Sequence, residues 1–180
     1  MAAGGVLVPL NTRFKGGEAR YVLDRADVGL HLTLTDHRPL GPMRRTAPEG
    51  RFPALPVLMR RALSGTLDGL EVRREVARQI AAFMALFGQA PAFIDGHHHV
   101  HQLPVIRDAV IEALGDLPGT YLRLCQEPLT AIVRRGVAVS KALLISRLGQ
   151  GLEQLARRAR VPVTDSFRGI YDFSPKPPYA

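Results

Sequence analysis

Apolar and polar positions along the chain repeat with two different periods, and each change of period marks an element. Val28 to Thr35 reads VGLHLTLT, with Leu30, Leu32 and Leu34 on one face and His31, Thr33 and Thr35 on the other. A period of two is that of a half-buried strand. Residues 36 to 66 are broken by Pro39, Pro42, Pro48, Pro53 and Pro56, which predicts a long loop with one short helix near Val57 to Leu63. A loop of that length often forms a lid or a substrate wall. From Asp68 to Phe87 the period becomes helical. Val72, Val76, Ile80, Phe83 and Phe87 make the buried stripe, Asp68 is the N-cap and Gly88 the stop. Glu71 with Arg74, and Glu75 with Arg78, are expected as i,i+3 pairs on the exposed side.

Ala92 to His99 then reads as a second strand. Pro104 opens a helix over Val105 to Leu114, closed by Gly115. Thr120 to Leu124 is a short strand, and Ser140 to Arg160 a helix weakened by Gly149 and Gly151. Val161 to Thr164 is a last short strand, and the proline-rich tail from Ser174 cannot be regular. Strands separated by helices imply a mainly parallel α/β sheet or barrel. In such folds the polar groups at the C-terminal ends of strands line the active site.

Composition narrows the class. With 180 residues, 46% hydrophobic and 22% charged, the chain is an ordinary globular domain that can bury a core. The single cysteine, Cys125, excludes an internal disulfide framework and a cysteine-only zinc site, and reads as a buried structural thiol. No apolar run reaches the roughly 18 residues of a membrane helix. Met1 to Gly5 has no charged leader, so a cytoplasmic protein is the expectation. The net charge is +8, and apart from Lys15, Lys141 and Lys176 the basic residues are all arginines. That excess admits a nucleic-acid or lipid partner. Aromatics, however, are only 6% and tryptophan is absent, so stacking platforms are lacking and no nucleic-acid partner is expected. The sequence leaves a homodimer open.

Four of the six histidines fall within Asp95-Gly96-His97-His98-His99-Val100-His101, at the end of a predicted strand. On an extended chain Asp95, His97, His99 and His101 would point one way. Alternate residues lie about 6.6 Å apart, within reach of one ion. Imidazole suits zinc, iron, nickel or copper, and a nearby carboxylate widens the choice to manganese or magnesium. The competing reading is a solvated polar turn or a satisfied core histidine. His31 sits in a strand otherwise made of Leu and Thr, so it must be partnered or line a cavity. His37 reads as solvated. Arg123 could bind an anion or a sugar hydroxyl, or form an ion pair. Asp165 could belong to a site or cap a helix. HExxH, Walker and G-x-S-x-G motifs are absent.

Two segments together carry a resemblance: Gly29-Leu30-His31-Leu32-Thr33-Leu34-Thr35 followed by Arg38-Pro39-Leu40, and Pro91-Ala92-Phe93-Ile94-Asp95-Gly96-His97-His98-His99-Val100-His101 followed by Pro104. With Tyr121-Leu122-Arg123 after them, they resemble the YdjC/ChbG family of carbohydrate deacetylases, nearest in flavour to its hopanoid-associated, HpnK-like branch. The resemblance covers roughly residues 19 to 180. It implies a distorted (β/α) barrel and a divalent-metal hydrolase, with magnesium or zinc, that removes acetyl groups from N-acetylated or glycolipid-linked sugars. It places metal ligands at His31 and His97. His101 and Arg123 become candidates for substrate, and Asp95 and His99 for catalysis.

The family's opening Ala-Asp-Asp-Phe-Gly motif and its closing Cys-His-Pro-type motif have no counterpart here. The chain is therefore expected to be a single YdjC-like domain over residues 1 to 180, an incomplete barrel truncated at both ends. Little or no turnover is expected from it, with Asp95 or Asp165 as substitutes for the missing carboxylate. The alternative is a catalytically inactive metal- or sugar-binding remnant.

Overall fold

The computed structural model describes residues 27–136 and 139–165; the first residues and the tail from Ser174, where no regular structure is expected, lie outside them. Leu30–Leu32 form β1, Leu55–Leu63 α1, Gly69–Phe87 α2, Phe93–Gly96 β2, Ile106–Leu114 α3, Tyr121–Leu122 β3, Leu129–Arg135 α4 and Val139–Ala159 α5. Among the described residues the sheet is parallel, in the order β1-β2-β3. Beyond it the predicted strand at Val161 to Thr164 makes only the bridge Leu122↔Val163. The outcome is a mixed α/β fold with a small parallel sheet. No helix among the described residues is long and apolar enough to cross a membrane.

β1 is shorter than the alternation at Val28 to Thr35 suggests, but its pattern persists, since Leu32 and Leu34 are fully buried while His31 faces out. Register does the functional work. Leu30 pairs with Ile94, His31 with Asp95 and Leu32 with Gly96. On the other side Phe93 pairs with Tyr121 and Ile94 with Leu122, and Arg123 N donates to Ile94 O. His31, Asp95 and Arg123 therefore stand in one row across the ends of three neighbouring strands.

α2 follows its stripe. Asp68 accepts from Glu71 N, Gly88 closes the helix at φ 69°, and Val72, Val76, Ile80 and Phe83 are buried. Ile80→Ala should cost about 2–3 kcal/mol in a denaturant melt, the lower part of the usual range because Ile80 keeps 7% exposure. A loss below ~0.5 kcal/mol would mean that this face does not pack. The two glutamates depart from the expected exposed pairs. Glu75 is fully buried; it does pair with Arg78, but it also accepts from Leu40 N and Gln79. Glu71 turns from Arg74 and accepts from Arg45 N and Thr46 N. The reason is the 36–54 segment, whose free backbone N–H groups need acceptors once it lies on the helix. Two carboxylates of α2 thus strap that segment down.

The second predicted strand is also corrected. It ends at Gly96, and His97–Gln102 form a tight 3₁₀ turn with His98 and His99 at φ 52° and 59°. The alternation expected through His101 does not exist. The turn closes over Gly96: a β-carbon there would lie 2.6 Å from His101 Nδ1 and 2.9 Å from His101 N. Val100 and Leu103 are pulled into the core by the same turn. α3 begins at Ile106 rather than Val105, which sits at φ 70°. α4 has no counterpart in the sequence reading. α5 runs unbroken through both glycines. A β-carbon on Gly149 would lie 2.9 Å from Gln102 Oε1 and 3.1 Å from the Cys125 carbonyl, so the first glycine serves close packing rather than weakness.

Candidate functional site

The row across the strand ends is an ordered polar chain. His31 Nδ1 lies 2.7 Å from Asp95 Oδ1, and Arg123 Nη1 lies 2.8 Å from Asp95 Oδ2. Asp95 is nearly buried, with 7% of its side chain exposed. Burial raises its carboxyl, but the His31 hydrogen bond and the positive charge of Arg123 more than offset this, so it lies below the usual carboxylate range. With both oxygens engaged, Asp95 accepts the His31 Nδ1 proton and leaves the Nε2 lone pair pointing away from the sheet. This is the carboxylate–histidine arrangement that fixes the tautomer of a metal-ligating imidazole.

His31 Nε2 lies 3.4 Å from His97 Nδ1. That exceeds the normal hydrogen-bond range of about 2.7–3.2 Å. It matches the edge of a tetrahedron with metal–nitrogen bonds of about 2.0–2.1 Å. Burial first, then the neighbouring His98 and His31 rings, hold His97 below the usual histidine range against the pull of Asp36. A neutral His97 can offer a lone pair. These two rings fit a divalent ion on geometry and donor chemistry alike.

The other sequence candidates fall differently. His99 lies 3.0 Å through Nδ1 from Cys125 Sγ, and burial and the Lys141 charge hold it down at about 4. Burial pushes the Cys125 thiol up to about 12, so the thiol is a packing group and not a nucleophile. His101 has no exposed surface, and its Nε2 donates to the Arg123 carbonyl at 2.8 Å. A sugar cannot touch a side chain sealed in this way; His101 braces the backbone that carries Arg123. Arg123 keeps 18% of its side chain exposed and stacks 5.2 Å over the Phe93 ring, so it combines the ion pair with an edge open to solvent. Asp165 is exposed, past the last bridge. His37 is exposed as expected, with its ring 6.1 Å from that of His97.

One acid escaped the sequence reading. Asp36 follows β1 at φ 63°, and its Oδ2 lies 3.5 Å from both His97 Nε2 and His98 Nδ1. Its signal was position: it is the first acid past a parallel strand end, where site residues gather.

Comparison with known proteins now decides the family. The model of the YdjC-like protein family matches residues 7–177. The chain belongs to the YdjC-like family. Among its relatives, a chitooligosaccharide deacetylase of Serratia marcescens is 34% identical over 178 residues, covering 83% of this chain and 67% of that protein. A human carbohydrate deacetylase is 41% identical over 101 residues, covering 53% of this chain and 31% of its own length. The chain thus spans between about a third and two thirds of these two relatives. A crystal structure of an Enterococcus faecalis protein, suggested to cleave cellobiose phosphate, shares the fold with a TM-score of 0.58 at 22% identity, covering 83% of this chain and 50% of that one.

Proposed function

We propose that this YdjC-like chain carries the metal-holding part of a sugar N-deacetylase, with His31 Nε2 and His97 Nδ1 as ligands to zinc or magnesium. The 3.4 Å approach of those two nitrogens carries the reading. A divalent ion held by His31 and His97 would supply Lewis-acid polarisation of an acetyl carbonyl and lower the pKa of a water that serves as nucleophile. The protein's own groups set up that chemistry. Asp95 holds the proton on His31 Nδ1, so that the Nε2 lone pair is always the one presented. Arg123 holds Asp95 and offers its exposed edge to a sugar hydroxyl. The strapped 36–54 segment forms one wall for an N-acetylated sugar, free or linked to a lipid. The sheet is read as part of a (β/α) barrel. Asp95 is a positioning residue here, and His99 is not assigned to the reaction.

Two measurements on the chain test this. Calorimetric titration with zinc should show binding that His97→Ala abolishes. Acetate release from an N-acetylated chitooligosaccharide, with zinc or magnesium added, should be slight in the parent, and whatever release the parent gives should disappear in both His31→Ala and His97→Ala. Parent-like release from both variants would overturn the ligand assignment. Metal binding without any acetate release would leave the inactive metal- or sugar-binding reading in its place.

A further inference from the structure

His97 has two ring nitrogens, and they face two different sets of donors. Nδ1 faces His31 Nε2 at 3.4 Å. Nε2 lies 3.5 Å from Asp36 Oδ2, and the same oxygen lies 3.5 Å from His98 Nδ1. The donor atoms of Asp36, His97 and His98 all lie within 4.8 Å of one another. Thr35 Oγ1 also reaches His98 Nδ1, at 3.3 Å, so that ring is held with its nitrogen turned toward the cluster. The His97 and His98 rings lie 4.0 Å apart between centroids. Two imidazoles and one carboxylate make a three-donor set for a first-row divalent ion. The observed 3.5 Å separations are within about 0.2 Å of the tetrahedral edge expected for zinc. Asp36 and His98 play no part in the site proposed above.

We infer that Asp36 Oδ2, His97 Nε2 and His98 Nδ1 form a second site for a zinc-like divalent ion, and that this site and the His31–His97 pair exclude each other. The exclusion follows from imidazole chemistry. A neutral ring has one lone-pair nitrogen and one N–H. When His97 gives its Nε2 lone pair to the Asp36 side, its proton sits on Nδ1 and points at His31 Nε2, where it closes the first site. When Nδ1 serves the first site, the proton sits on Nε2 and points at Asp36. A zinc-like ion on the Asp36 side would therefore keep the His31 site empty, and the two sites would share one equivalent of zinc in the ratio of their affinities. The second site shares only His97 with the first, through the ring's other nitrogen, and Asp36 and His98 are its alone, so variants of those two residues test it separately.

Calorimetric titration with zinc in two backgrounds separates them. The parent should take up one equivalent. His31→Ala should still bind one equivalent, now through the second site. Adding His98→Gln or Asp36→Asn to His31→Ala should weaken that binding at least ~tenfold. Conversely, the Asp36→Asn/His98→Gln chain reads the His31–His97 pair alone, so failure of that pair shows there and nowhere else. Asparagine tolerates the positive φ of Asp36. The Asp36 and His98 side chains are half-exposed, so the fold should persist, and a thermal melt checks it. If either substitution proves unfolded, the other alone gives the same reading. The second site is overturned if His31→Ala binds no zinc, or if its binding ignores both added substitutions. Two equivalents bound by the parent would overturn the mutual exclusion.

Discussion

Asp95→Ala should cost about 3 kcal/mol of folding stability and, separately, weaken zinc at the His31–His97 pair by about 10- to 100-fold. The two effects have different origins. Stability falls because the substitution leaves Arg123 without the carboxylate that now sits 2.8 Å from its Nη1. Removing one partner of a buried pair typically costs about 3–5 kcal/mol, since the remaining charge stays desolvated. The lower end applies because Arg123 retains 18% exposure and can draw on solvent. Metal affinity falls because the His31 ring loses the acceptor that fixes its tautomer, the effect known for partners standing behind a ligating histidine. A chemical melt reads the first effect. Zinc titration in the Asp36→Asn/His98→Gln background reads the second, because only the His31 pair binds there. A stability loss below ~1 kcal/mol would show that the row His31–Asp95–Arg123 is a surface ion pair of little weight. Unchanged affinity would show that Asp95 does not orient the ligand. Asp95→Asn keeps the size and one acceptor, so it should lose less stability than alanine while still weakening zinc.

The parts of this site that could be read from the chain are those carried by residue type and strand-end position. The histidine cluster after β2 and the lone His31 in β1 belong to that group, as do α2 with its Asp68 cap and Gly88 stop, because local pattern marks them; the choice of His31 and His97 as ligands rests on the family resemblance. What could not be read depends on contacts between distant segments. The pairing of His31 with Asp95 needs the parallel register of β1 against β2, and alternation along one strand says nothing about register. The extended reading of Asp95 to His101 failed at Gly96, where the chain turns back and seats His101 against the missing side chain. A glycine inside a strand pattern is a recognised mark of such a close approach, but the run of histidines after it hid the break. The i,i+3 partner of Glu75 points to a surface pair; the strap that buries it comes from residues 36–54, which have no period of their own. Asp36 is hidden from the sequence for the same reason. Its role depends on where the loop is held and not on a motif around it.

Because His101 is sealed in the core as a neutral ring, lowering the pH should destabilise the protein through this side chain, as it should through His99, which is held at a similar value. Burial is the largest influence on His101, and it holds the ring at about 4, compared with about 6.5 for an unburied histidine. The Arg123 carbonyl and Asp95 pull the other way without prevailing. The sign follows from proton counting. Between about pH 6.5 and pH 4 the unfolded chain holds a proton at this position and the folded chain does not, so acid favours unfolding. The contribution is complete above pH 6.5. It falls by about 1.4 kcal/mol per pH unit on the way down and levels off below about pH 4, for roughly 3 kcal/mol in all. Denaturant melts of the parent and of His101→Gln across this range would isolate it. Glutamine cannot titrate and can still donate to the Arg123 carbonyl, so the variant's stability curve should be flatter over that window. The Nδ1 side loses nothing in the exchange, since that nitrogen has no hydrogen-bond partner in the core. Parallel curves for the two proteins would mean that His101 is protonated in the fold as readily as out of it. The brace it forms behind Arg123 would then have to be charged.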